Sequence, residues 1–138
     1  MAGFVRFQSA VPNRGGRFPG VFALANGLAR QGRLSAKDLA WWRDANARLT
    51  AAYADPATVA PECYDPELNP GARAWFKLPP TPPLEMTRDY LTLLDRYGIG
   101  WVELRTTSPG RVVYEDDIQV VAVPYTYEAD WRLHDHSP

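Results

Sequence analysis

Cysteine, histidine and lysine are nearly missing from this chain of 138 residues. Cys63 stands alone, so an internal disulfide is excluded and a cysteine-based metal site would need ligands of other kinds. With no histidine near it in sequence, Cys63 is also a poor nucleophile. Both histidines, His134 and His136, fall in the polar tail LHDHSP, so the sequence offers no Ser/His/Asp set. Lysine occurs only as Lys37 and Lys77, against thirteen arginines. That bias suits bidentate recognition of anions, and it equally suits a genome-wide preference for arginine. Apolar runs are short. None approaches the roughly 18 residues of a membrane span, and no charged segment leads into an apolar one as in a signal peptide. The expectation is a soluble, cytoplasmic protein with no membrane partner.

Acidic residues are absent from the first 34 positions, which hold Arg6, Arg14, Arg17, Arg30 and Arg33. The remainder carries ten basic and sixteen acidic residues, so the N-terminal quarter is +5 and the rest −6. Either the two parts pair within the fold, or the cationic quarter meets an anion. The acidic remainder argues against broad nucleic-acid binding.

What the chain does have is a clear sequence of elements. Residues 4–8 alternate, with Val5 and Phe7 on one face and Phe4, Arg6 and Gln8 on the other, and read as a first strand. Val21, Leu24, Ala25 and Leu28 mark a helix that begins near Pro19 and closes at Gly32. Ser35 and Asp38 resemble a capping box, and Leu39, Trp42, Leu49 and Tyr53 form the apolar stripe of the helix that follows. Adjacent Trp41 and Trp42 point about 100° apart, so one can be core while the other borders a cleft.

Eight of the thirteen prolines lie between residues 55 and 83, a long irregular stretch expected to pack over the core as a lid or wall. Residues 71–77 suggest one helical turn, and PPTPP a stiff spacer. Pro83 opens a last helix, with Met86, Tyr90, Leu93, Leu94 and Tyr97 as its buried stripe and Gly98 as its end. Residues 98–125 then have the longest strand character, cut by Thr107-Ser108-Pro109-Gly110 and by Asp116-Asp117. They predict a three-strand meander.

The predicted fold class is α+β: a mostly antiparallel sheet, built from the N-terminal strand and the C-terminal meander, packed against about three helices, with a long proline-rich irregular loop. One globular domain is expected over residues 1–127, followed by a polar tail over 128–138.

Three groups of residues could carry chemistry. Asn13-Arg14-Gly15-Gly16-Arg17 leads into a helix, and glycine-turned N–H groups, a helix N-terminus and arginines are the ingredients of a phosphate or carboxylate site. The alternative is a surface loop whose glycines only make a turn; neither GxxxxGK[ST] nor GxGxxG occurs. Glu115, Asp116 and Asp117 with Gln119 could face a hydroxyl or an arginine, or simply form a solvated turn. No spaced carboxylate partner supports a metal there. Trp75, Phe76 and Lys77, with Trp41 and Tyr64, offer aromatic surface that is core or, less commonly, a stacking platform.

The runs RFQSAVPNRGGRFPGVFALANGLA, YDPELNPGARAWFK and PGRVVYEDDIQVVAVPY resemble a family of small actinobacterial proteins of uncharacterised function, over about Phe4 to Tyr125. That resemblance implies no activity. The size and element order also resemble the compact ADP-ribosyltransferases. This implies Arg6 on an early strand, Trp75 or Tyr64 around a nicotinamide, and Glu115 or Gln119 near a late strand. The Ser-Thr-Ser segment and E-x-E loop of those enzymes are missing.

The leading expectation is a small enzyme or binding domain for a phosphorylated or nucleotide-like anion. Arg6 and Glu115 would be the catalytic pair, and Gln8, Asn13, Arg14, Arg17, Trp75, Lys77 and Gln119 the ligand-binding residues. Alternatives are an interaction module docking an acidic protein partner, a homo-oligomer joined through the outer meander strand, or an NAD-using transferase. The sequence does not decide whether the chain is an enzyme, and specifies no cofactor and no metal.

Overall fold

The structure is a computed structural model that describes residues 3–125. The polar tail, both histidines and the domain boundary at 127 lie outside the described residues. The chain begins with β1 (Phe4–Ser9) and continues through helices α1 (Val21–Arg30), α2 (Ala36–Ala52) and α3 (Pro56–Val59). A 3₁₀ turn (Pro61–Tyr64) and strand β2 (Arg73–Lys77) follow, then α4 (Pro82–Arg96), β3 (Trp101–Thr106), β4 (Arg111–Glu115) and β5 (Gln119–Val123). This is the expected α+β class, with four α-helices and an open five-stranded antiparallel sheet among the described residues.

The helix ends follow local chemistry. Ser35 caps α2 by accepting the Asp38 N–H, and Asp55 caps α3 by accepting that of Ala57. Gly32 and Gly98 take φ of 68° and 70° just past α1 and α4, a conformation that costs other residues energy. The proline spacer is shorter than expected, because Pro82 and Pro83 are the first turn of α4, where a missing N–H costs nothing.

The sheet order is β3-β1-β2-β5-β4, with every neighbouring pair antiparallel. This corrects two expectations. Residues 71–77 are not a helical turn but hold β2, the central strand. The C-terminal strands also do not form a meander: β4 pairs with β5, but β3 lies at the opposite edge, held by β1 along its whole length from Phe4–Thr106 to Ser9–Trp101. Residues 107–110 therefore join the two sheet edges instead of turning a hairpin.

That short connection bends the whole sheet. Four interstrand steps would separate the edges of a flat sheet by about 19 Å, while five peptide steps from Thr106 to Arg111 reach at most about 18 Å. The sheet must curl. Trp75, Leu104 and Val120 are buried together on one face, with Phe4 and Val102 against them. The other face packs on helices: Val5 and Phe76 meet Leu84 of α4 and Phe22 of α1. Beyond it Val21, Ala25 and Leu28 of α1 join Ala45 and Leu49 of α2 and Tyr90, Leu93 and Leu94 of α4 in the main core.

Candidate functional site

β1 and β2 pair for two residues only, Phe4 with Lys77 and Val5 with Phe76. The same register would set Arg6 opposite Trp75, but the strands part there. The returning loop takes the vacated place beside β1: Ser9 N–H donates to the Pro19 carbonyl at 2.8 Å, and Gln8 bridges to Gly20. The Arg6 side chain fills the base of the fork. Its Nη1 donates to the Ala74 carbonyl at 3.0 Å, a group that a continued ladder would have bonded from β1, and its Nε donates to Gln8 Oε1 at 2.8 Å. Arg73 Nη1 donates to the same Gln8 oxygen at 2.9 Å, so buried Gln8 holds the guanidinium from behind.

The fork opens into a cleft of about 380 Å³ bordered by β1, β2, α1, α2 and the segment from Ala54 to Tyr64. The proline-rich stretch thus forms one wall. Gly20, the N-cap of α1, adds no side chain, and a Cβ there would lie 3.4 Å from Arg6 Nη2. The first turn of α1 has no side-chain cap, so the positive end of the helix faces the same space. Burial pulls the Arg6 pKa down to about 10, partly countered by Tyr64. None of the four ion pairs among the described residues includes Arg6.

Tyr53 and Tyr64 line the cleft as donors. Burial raises both phenols, that of Tyr64 up to about 12, so both stay protonated at neutral pH. Deeper in the helical wall, Trp42 Nε1 and Asn46 Nδ2 donate to Asn26 Oδ1 at 3.0 and 3.2 Å, and Tyr90 O–H donates to Asn46 Oδ1. Asn26 and Asn46 both border the cleft.

Of the residues singled out in the sequence, Arg6, Tyr64, Trp75 and Gln119 border this cleft, with Gln8 just behind it. Trp75 is only 1% exposed, which leaves its ring no free face for stacking. Gln119 is also committed: its Nε2 donates to the Ala54 carbonyl at 2.8 Å and to Asp116 Oδ2 at 3.1 Å. Asn13, Arg14 and Arg17 sit in an exposed loop outside the cleft lining. Asn13 Oδ1 accepts the N–H groups of Gly15 and Arg17 at 2.9 and 3.0 Å, so the loop satisfies itself with donors that an anion would have needed.

Glu115 and Lys77 pair with each other at 2.6 Å, away from Arg6. Asp116 turns inward, where burial alone would raise its pKa, but the N–H groups of Ile118 and Gln119 and the Tyr114 hydroxyl lower it overall. No ion pair among the described residues joins the acidic turn to the N-terminal arginines, so the first of the two alternatives that the charge pattern left open is not seen at this turn. The sequence reading missed Asn26, Asn46 and Tyr53 as cleft residues. One signal was present: the α2 stripe Leu39, Trp42, Leu49, Tyr53 lacks an apolar residue at its middle step, where Asn46 stands.

Among the described residues no group of three or more His, Cys, Asp or Glu side chains could hold a metal ion, and no helix is long and apolar enough to cross a membrane. Comparison with protein families, with curated proteins and with solved structures finds no match to this chain. Neither sequence resemblance therefore adds a role to the geometry.

Proposed function

We propose that the chain is a binding domain for a small anionic molecule, which enters the cleft at the β1–β2 fork and is gripped by Arg6. The observation that carries this reading is the setting of that guanidinium, largely buried and, among the described residues, hydrogen-bonded only to the neutral oxygens of Gln8 and Ala74. Removing an ion from water without a counter-charge costs about several kcal/mol, and an arriving anion offsets that cost. Nη2 and the uncapped first turn of α1 supply donors on the open side. The cleft volume, about 380 Å³, suits a small molecule. With both tyrosines protonated and Asp55 engaged in capping α3, the lining supplies binding groups better than an acid–base pair.

A thermal-shift screen of nucleotides, sugar phosphates and carboxylates tests this, run on wild type, Arg6→Gln and Gly20→Ala. Gly20 has φ of −72°, so alanine fits its backbone while its methyl group covers Nη2. At least one anion should raise the wild-type Tm by several degrees at saturation. The rise should vanish in Arg6→Gln and shrink in Gly20→Ala. A wild type that responds to no anion, or a response that Arg6→Gln keeps, overturns the reading.

A further inference from the structure

We infer that the ligand is a monocarboxylate with a flat apolar body and an oxygen acceptor at its far end. The inference rests on the proposed anion site and narrows it by charge, wall chemistry and length.

The charge available suits one negative charge. Two of the five N–H groups of Arg6, one on Nε and one on Nη1, are already engaged, leaving those of Nη2, the second on Nη1 and the α1 amides for the ligand. Arg14 and Arg17 do not line the cleft, and the acidic residue Asp55 does. One guanidinium and a helix end worth about half a charge balance a carboxylate. A phosphate monoester carries about −1.5 to −2 and would be left under-neutralised beside Asp55.

The body of the cleft is apolar. Phe22, Leu49, Tyr53, Phe76 and Pro56 border it, and a planar ring or short hydrocarbon buries well against such walls. The far end is polar again. Asn26 Oδ1 accepts from both Trp42 and Asn46, which fixes the amide so that Nδ2 is the group left over. No hydrogen bond from that nitrogen occurs among the described residues, and Asn26 borders the cleft. Asn26 lies six residues along α1 from Gly20, a rise of about 9 Å at ~1.5 Å per residue. A hydroxyl or carbonyl oxygen at that remove from the carboxylate would meet it.

Four probes sharing a phenyl ring and a two-carbon arm separate the possibilities by calorimetry on wild type: 3-(4-hydroxyphenyl)propanoate, 3-phenylpropanoate, 2-phenylethyl phosphate and the neutral alcohol of the first acid. The hydroxylated acid should bind tightest. It should exceed the plain acid about fivefold, as one neutral hydrogen bond allows, and the neutral alcohol about fiftyfold, as a charge-assisted bond to Arg6 allows. In Asn26→Ala the two acids should become equal while both keep their dependence on Arg6. Tighter, Arg6-dependent binding of the phosphate would overturn the carboxylate class and leave the anion site standing. Equal affinities of the two acids for wild type would overturn the role of Asn26, even if Asn26→Ala does not fold. Silence from all three anions at millimolar concentration would overturn the inference, and the anion site would fall with it only if the screen of nucleotides, sugar phosphates and carboxylates is silent as well.

Discussion

Arg6 is held by neutral oxygens, and this makes its contribution to folding different from its contribution to binding. Replacing it with methionine removes two hydrogen bonds but also removes the cost of keeping a cation away from water. The two effects oppose each other, so Arg6→Met should unfold within about 1 kcal/mol of wild type in urea without ligand, while losing every anion-dependent rise in Tm. Gly110 shows the opposite kind of residue, one whose role is purely structural. Its φ is 128°, and a Cβ there would lie 2.0 Å from the Val123 carbonyl oxygen and 2.6 Å from its carbon. Both atoms belong to backbone and cannot swing aside. Gly110→Ala should therefore cost about 3 kcal/mol or more, read as a shift of the urea midpoint at unchanged slope. The turn signal at Pro109-Gly110 was legible in the sequence, but the direction of the turn was not. A glycine at positive φ reports strain in its own backbone and says nothing about which strand comes next.

Between elements, the corner where α2 meets the end of α4 is closed by Asp38. The Tyr97 hydroxyl donates to its Oδ2 at 2.7 Å, Arg96 meets its Oδ1 at 2.6 Å, and Ser35 N–H donates back to Tyr97 Oη at 2.9 Å. The Tyr97 hydrogen bond, outweighing some desolvation and helped by Arg96, holds the carboxyl below its usual range. A depressed folded-state pKa means that this stabilisation is fully present above the unfolded value near about 3.9 and is lost as pH falls through the folded one. Asp38→Asn should thus lower Tm at pH 6, and its gap to wild type should narrow in melts taken from pH 4 down to pH 2. A constant gap would show that the ionised form contributes nothing. Ser35 and Asp38 were readable as a helix start because capping is local chemistry between neighbours. β2 was not readable. Arg73 and Trp75 are buried on one face while Ala74 and Phe76 pack on the other, so the strand shows no polar alternation to betray its period. Asn26 and Asn46 escaped for a related reason. Each is one ordinary polar residue on its helix, and only their meeting across two helices gives them a role.

At the scale of the whole molecule, the order of the strands decides both the curl of the sheet and the place of the cleft. Had β3, β4 and β5 formed a meander, β4 would have been paired on both sides, and nothing would have forced the sheet edges together. Instead β1 takes β3, β2 enters at the centre, and the divergence of β1 from β2 after Val5 makes the fork that Arg6 fills. Sequence supplied the strands but not their partners, because pairing is settled by which faces can be buried over distances that turn residues do not record. The observed order places β3 and β4 at the two sheet edges, each with one strand partner among the described residues. Both edges carry devices that discourage pairing with another chain: exposed Glu103 and Arg105 on β3, and an irregular register between Val112 and Tyr114 on β4. Amide exchange distinguishes the two arrangements directly. Trp75, Phe76, Val120 and Val121 occupy strands paired on both sides and should exchange only through global unfolding. Within residues 111–115, amides directed away from β5 have no ladder acceptor, and they should exchange at least about a hundredfold faster than those of Trp75 and Phe76. Uniform slow exchange throughout residues 111–115 would require a second partner for β4 and would restore the meander in place of the curled sheet.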